Sequence, residues 1–175
     1  KNGNPEVAGF RREQGVGIRV LVNGGLNFAS LNRSDRDLVK RRVKEAVKMA
    51  KASVRVMKKP ISLSPERAVE EKWEVRPKTA FEEISVGEKI ELLSAIDKTV
   101  SSPDEVKTSV PSRVLELIES TTEKYFVNSE GTTIISKVPQ IFFVAFLAAH
   151  EKGETEQDYI QKGESRGWEA VEEWK

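Results

Sequence analysis

The chain has 175 residues, 29 Lys+Arg against 28 Asp+Glu and a net charge of +1, so no strong overall field draws it to nucleic acid or an anionic membrane. It has no cysteine, which excludes disulfides and thiolate zinc sites, and one histidine, which excludes a His cluster. No run is long and apolar enough to span a bilayer and no signal peptide is visible, so the expected setting is cytoplasmic.

The chain opens on Lys1-Asn2-Gly3-Asn4, read as the tail of a hairpin, and closes on Trp174-Lys175 after a charged stretch. This suggests a piece of a longer protein. Residues 5–14 are expected to be a strand. In Gly15 to Ser30, GVGIRVLVNGGLNFAS, Val16, Ile18, Val20 and Val22 fall on every second position, which puts four β-branched side chains on one strand face, with Arg19 opposite. Asn23-Gly24-Gly25 supplies residues that tolerate positive φ in a tight turn, and Leu26, Phe28 and Ser30 begin the return strand.

A first helix is expected over 34–54. Ser34 is its expected N-cap, with Asp35 and Asp37 in the first turn. Leu38, Val39, Val43, Ala46, Val47 and Ala50 form an apolar stripe meant for the ribbon. The basic remainder, Lys40 to Lys51, is read as solvated surface, because no groove-reading motif accompanies it; nucleic-acid binding is the weaker alternative. Pro60, Pro65 and Pro77 punctuate a charged connection, with a helical turn expected after Pro65 and Trp73 as its hydrophobic anchor.

A second helix is expected over 85–100. Ser85 and Glu88 have capping-box spacing, Ile90, Leu93, Ile96 and Val100 make the apolar face, and Ser101-Ser102-Pro103 stops it. From residue 110 the pattern is β: a strand over 113–120, a turn at 121–123, a second strand over 124–127, and a turn at Asn128-Ser129-Glu130-Gly131. Residues 132–149 form a strand apolar on both faces, in which Pro139 calls for an edge or a bulge. A turn at 150–154 leads to a polar strand over 155–165. The whole is an α+β fold of antiparallel ribbons with two main helices packed on them, in two lobes: 1–57, a linker at 58–81, and a β-rich lobe over 82–175.

No catalytic constellation emerges. His150-Glu151 lacks a second histidine one helical turn on, so it is not a zinc-protease helix, and His150 is read as an exposed turn residue. Gly15-Val16-Gly17 and Gly24-Gly25 lack the Lys-Ser/Thr of a phosphate loop.

Three segments in series resemble the TldD/PmbA family, also called modulator of DNA gyrase proteins. They are Gly15–Ser30, whose Gly15, Gly17 and Arg19 carry the motif; Val127–Gly131, with Asn128, Ser129 and Gly131; and Gly163–Glu169, with Arg166 and Gly167. The resemblance implies a zinc-dependent peptidase acting on unfolded or extended peptides, assembled as a homodimer or as a heterodimer of a metal-bearing and a metal-free subunit. The family's ligands, in a His-Glu-x-x-x-His helix and a later Cys, match no position here. The resemblance therefore implies the N-terminal and middle portions without the catalytic domain, no catalytic or metal residue, no cofactor in this part, and zinc in the catalytic domain if the parent is the metal-bearing type. The motif residues are read as structural. A regulatory interaction module contacting a gyrase-type partner is the alternative. An edge of the ribbon, or of the strand over 132–149, is expected to guide peptide by β-addition.

Overall fold

The computed structural model describes residues 1–102, 104, 106 and 108–174. The chain forms two compact units. One is Ala8–Glu66; the other joins Lys1–Val7 to the chain from Arg67 onward.

In the first unit, β1 (Val16–Val22) and β2 (Gly25–Leu31) make an antiparallel hairpin in the expected register, from Val16 opposite Leu31 to Val22 opposite Gly25. Asn23 and Gly24 form the two-residue turn at φ 50° and 81°, a conformation that favours Asn and Gly. Helix α1 (Arg36–Ser53) packs on the ribbon through its apolar stripe, with Ala46 and Ala50 buried. Its N-cap is Asp35 rather than Ser34: the Asp35 carboxylate accepts from Leu38 N at 2.9 Å. Gly25 sits where α1 ends. A Cβ there would lie 2.8 Å from Ser53 Oγ and from Val54 Cγ2, and closer still to Ala50 O. The close approach of ribbon and helix therefore requires glycine. A 3₁₀ turn, Val54–Val56, follows, and Ile61 N donates to Gly24 O at 3.0 Å. The strand expected over 5–14 does not form. Gly9 adopts φ 88°, a break in extended backbone, and Phe10 is 94% exposed.

The second unit is a four-stranded sheet around one long strand. β3 (Glu70–Glu74), β4 (Ser109–Val127), β5 (Thr133–Glu151) and β6 (Glu154–Glu164) are arranged with β5 in the middle. β4 lines one side of β5, antiparallel, from Ser109 opposite His150 to Val127 opposite Thr133, with an irregularity between Ser109 and Ser112. The other side is shared. β3 runs parallel beside Thr133–Lys137, and β6 runs antiparallel beside Ile141–Glu151. The expected turn at 121–123 is absent. The β-branched Thr121 and Thr122 continue β4, because β5 is long enough to pair the whole length.

β3 corrects the expectation of a structureless connection and of an all-antiparallel sheet; no helical turn follows Pro65. Trp73 lies on β3 and is 54% exposed, so it does not anchor the segment by burial. Pro139 lies neither on an edge strand nor at a bulge, but opposite Thr121 in the central strand, at a gap in the pairing on its other side. Thr133 N donates to Val69 O and Lys137 O accepts from Val75 N, so the odd-numbered residues of β5 direct their main-chain groups away from β4. The missing N–H of Pro139 points into the gap between the end of β3 and the start of β6 pairing. Lys152 (φ 51°) and Gly153 (φ 88°) make the β5–β6 hairpin turn, as the sequence predicts.

Helix α2 (Val86–Ser101) has the expected capping box: Ser85 Oγ accepts from Glu88 N at 3.2 Å and Ser85 N donates to Glu88 Oε2 at 2.8 Å. Pro103 lies outside the described residues. A short helix, α3 (Glu169–Glu173), which the sequence reading missed, completes the unit. The core joins Phe81, Ile141, Trp168, Ala170 and Val171, with Ile84, Leu92, Leu117 and Trp174 against it. Ile141 is fully buried; burial of such a side chain stabilises by about 1.5–3 kcal/mol. The odd face of β5 thus carries the core. The even face carries Phe142, Val144 and Phe146, all half-buried, beside Ile118, which is 47% exposed.

Gly25→Ala should destabilise the ribbon unit by about 2 kcal/mol or more, since neither the α1 carbonyl nor the strand can yield without losing hydrogen bonds. Urea unfolding of wild type and variant measures this; a difference within about 0.5 kcal/mol would refute the close-approach account.

Candidate functional site

The resemblance residues fall in three places. Gly15, Gly17 and Arg19 lie at the start of the ribbon. A Cβ on Gly17 would touch the Phe28 ring at 3.4 Å, and Arg19, opposite Phe28 in the ladder, is exposed. Asn128, Ser129 and Gly131 form the β4–β5 turn. Asn128 Oδ1 accepts from Glu130 N at 3.1 Å and Thr132 N at 2.8 Å, and Gly131 takes φ 95°. This turn also receives β3, because Thr133 N donates to Val69 O at 2.7 Å. Arg166 and Gly167 lie after β6, separated from that turn by the length of β5 from Thr133 to Ile141.

The Arg166 region is a tightly bonded corner. Its guanidinium donates two hydrogen bonds to Glu173, both at 2.6 Å, and one to Glu164 at 3.1 Å. Hydrogen bonding from Arg166 holds the Glu173 carboxyl below its ordinary range, and the same bonds raise the Arg166 pKa. A Cβ on Gly167 would lie 2.7 Å from Glu169 Oε2 and nearer to Pro77 and Thr79 O, so the 77–79 segment can close on this corner only over glycine. Trp168 N donates to Thr79 O at 2.9 Å, Thr79 N to Glu169 Oε2 at 3.1 Å, and Gly167 N to Glu169 Oε1 at 3.2 Å. Burial pushes the Glu169 carboxyl up, but main-chain N–H donors from Thr79, Glu169 itself, Lys78 and Gly167 outweigh it, and the net shift is downward.

Sequence reasoning passed over Glu169, Glu173 and Trp168. The signal was the spacing of Trp168, Val171 and Trp174, three residues apart, which marks one helix face. It also passed over two ion pairs that pin α2 to β4. Arg113 donates to both Asp97 oxygens at 2.9 and 3.2 Å, which lowers the Asp97 pKa. Lys89 Nζ donates to Glu119 Oε2 at 2.9 Å and to Phe81 O at 2.8 Å, and lies 5.7 Å from the centre of the Trp168 ring. Glu119 Oε1 is shielded from solvent without a partner among the described residues. No three His, Cys, Asp or Glu side chains among the described residues gather as metal ligands, and no described helix is long and apolar enough to cross a membrane. His150 is exposed at the end of β5, with Nδ1 3.1 Å from Thr155 Oγ1.

What the molecule offers chemically is main chain. A two-residue hairpin turn makes Val22 and Gly25 a hydrogen-bonded pair. Leu26, Phe28 and Ser30 therefore turn their N–H and C=O groups to the outer edge of β2, which has no strand partner among the described residues. Beside that edge runs an open groove of about 350 Å³ between β2 and α1, lined by Asn27–Ser30, Ala46, Met49 and the Arg42–Glu45 ion pair. By contrast, β5 has β4 on one side and β3 and β6 on the other, so it offers no edge to a peptide; that half of the expectation is corrected.

Residues 1–50 match the family model for PmbA/TldA metallopeptidase domain 1, and residues 80–174 match that for the PmbA/TldA metallopeptidase central domain. The chain belongs to the PmbA/TldA (TldD/PmbA) metallopeptidase family. Among curated proteins, Metalloprotease MJ0996 of Methanocaldococcus jannaschii is 25% identical over 153 residues, 87% of this chain and 33% of the relative. The chain thus spans about a third of that relative's length.

Asp97, Glu169 and Glu173 all have folded-state pKa values below their unfolded ones. Their stabilisation is present above the unfolded carboxylate range and is lost as pH falls through the folded values. Unfolding free energy should fall as pH drops below about 4. Glu169→Gln should cost about 1–3 kcal/mol at neutral pH and flatten that acid slope, as read by denaturant unfolding across pH. An unchanged slope would contradict this account.

Proposed function

We propose that this chain supplies the non-catalytic first and central portions of a TldD/PmbA-type zinc metallopeptidase that acts in the cytoplasm on unfolded or extended peptides. The observation that carries the reading is the pair of domain matches in chain order, the first over residues 1–50 and the central over residues 80–174. In this reading the chain hydrolyses nothing by itself, and the metal belongs to a further domain. Its work is to enclose the chamber, guide substrate and dimerise, with a second copy or a related subunit.

The guiding surface is the outer edge of β2 with its groove. A peptide added there as a third strand would bond to the main chain of Leu26, Phe28 and Ser30, which reads no particular sequence. The exposed Phe28 (62%) and Met49 (58%) give adaptable apolar contact. Such a site suits a peptidase that takes unfolded chains of many sequences.

Amide hydrogen exchange of the chain with and without β-casein, an unstructured polypeptide, tests this. The expected result is slowed exchange at Leu26, Phe28 and Ser30, abolished by Phe28→Pro, which removes a central donor. Protection confined to other segments would reject β2 as the guide.

A further inference from the structure

β4 presents a second open edge, and its chemistry differs from that of β2. The odd-numbered residues of β5 point their main-chain groups away from β4, so by the pairing of the ladder the odd residues of β4 point away from β5. Arg113 confirms the parity. Its N donates to Asn2 Oδ1 at 2.7 Å and its O accepts from Asn2 N at 2.9 Å, both on the outer side. Beyond Asn2 the edge is bare. Leu115, Leu117, Glu119, Thr121, Glu123 and Tyr125 carry outward N–H and C=O groups with no partner among the described residues. Along this edge Ile118, Tyr125 and Phe126 are 47%, 73% and 52% exposed. Proteins ordinarily cover long bare edges or guard them with charge, and this one mixes exposed apolar side chains with Glu116, Glu123 and Lys124.

We infer that the outer edge of β4 pairs antiparallel with the same edge of a second copy of this chain, about a two-fold axis at Ser120. This deepens, and rests on, the reading of a dimeric protein given above. Only registers that oppose odd residues with odd residues satisfy the free groups. The limits of the free edge and charge then select among them: an axis at Ile118 would oppose Glu123 with Arg113, whose main chain already bonds Asn2, and one at Thr122 would oppose Leu115 with Ser129, which lies beyond the strand. An axis at Thr121 sets Glu119 against the second copy's Glu123, and axes at Glu119 or Glu123 set those carboxylates against themselves; like charges directly opposite are destabilising. The axis at Ser120 opposes Glu116 with Lys124 and Val114 with Phe126. It also pairs Leu115 with Tyr125, Leu117 with Glu123 and Glu119 with Thr121, so every free main-chain group from Leu115 to Tyr125 is bonded. The even faces of the two sheets, with Ile118, Phe142, Val144 and Phe146, become one continuous apolar surface.

The chain has no cysteine, which makes the test direct. Light scattering of the wild-type chain first gives its mass in solution. Ser120→Cys is then oxidised. Residues facing each other across a non-hydrogen-bonded antiparallel pair have Cα atoms about 4.5 Å apart, within disulfide reach. The expected results are a dimer, and a Ser120→Cys disulfide that forms far faster than one from a Tyr159→Cys control on β6. Glu116→Lys should raise the dimer dissociation constant about tenfold, and Glu116→Lys with Lys124→Glu should restore it. A dimer whose Ser120→Cys cross-links no faster than the control overturns the edge while leaving dimerisation intact. Faster cross-linking through Thr122→Cys than through Ser120→Cys overturns the register. A monomer that binds an unfolded polypeptide at β4 overturns the second copy as occupant, and a monomer that does not overturns the dimer reading as well.

Discussion

The second unit depends on one constraint: every main-chain group of β5 must be satisfied along 19 residues. β4 matches it along one side, and on the second side β3 and β6 divide it. Pro139 occupies the point where neither reaches, and its missing donor removes one group that would otherwise stand unpaired in the gap. The parallel β3 follows from the same need. The chain entering the unit at Arg67 supplies the strand that the β5–β6 hairpin is too short to provide.

Core placement follows from the same strand. With both edges of β5 occupied, Ile141 can bury only by way of the face, and α2 and α3 close over it. Two ion pairs, Arg113 with Asp97 and Lys89 with Glu119, set α2 against β4 at two points. Breaking one partner of such a pair leaves the other charge poorly solvated, so these contacts enforce one arrangement more than they add net stability. The buried Glu169 does the same for the 77–79 segment, with main-chain donors as its hydrogen-bond partners and Arg166 Nε 3.9 Å from its Oε1. Both units rely on a glycine where backbones meet, Gly25 in the ribbon unit and Gly167 in the sheet unit, and the sheet unit adds charges that fix what has met.

Local chemistry made much of this legible in advance. Alternating Val and Ile, Asn-Gly and Lys-Gly turns, the Ser85–Glu88 capping box and the apolar stripe of α1 each act within a few residues of one another, and each element formed. Most of the misses are non-local; the cap of α1 and the break at Gly9 are local. Asp35 displaced Ser34 as cap because both residues are good caps and only the helix start decides between them. β4 ran through an apparent turn because β5 is long enough to hold it. β3 is a run of charged residues that no strand propensity marks, made a strand by the free edge of β5. Helix α3 is short, and the two tryptophans that flank it declare a core residue pattern only once Ile141 is known to await them. As for the candidate site, the motif positions were legible, whereas the partners of Arg166 and Gly167, and the freedom of the β2 edge beside the closure of β5, required the sheet order.

The central claim is that this chain is the peptide-handling, non-catalytic portion of a zinc peptidase. The most direct measurement is zinc content together with digestion of an unfolded polypeptide, made in parallel on this chain and on the full-length product of its gene. The account predicts about one zinc per subunit, as a catalytic site requires, and digestion by the full-length protein or by its complex with a related subunit, with neither from this chain. A full-length protein and complex that hold no zinc and leave the polypeptide intact would contradict it, as would hydrolysis by this chain alone.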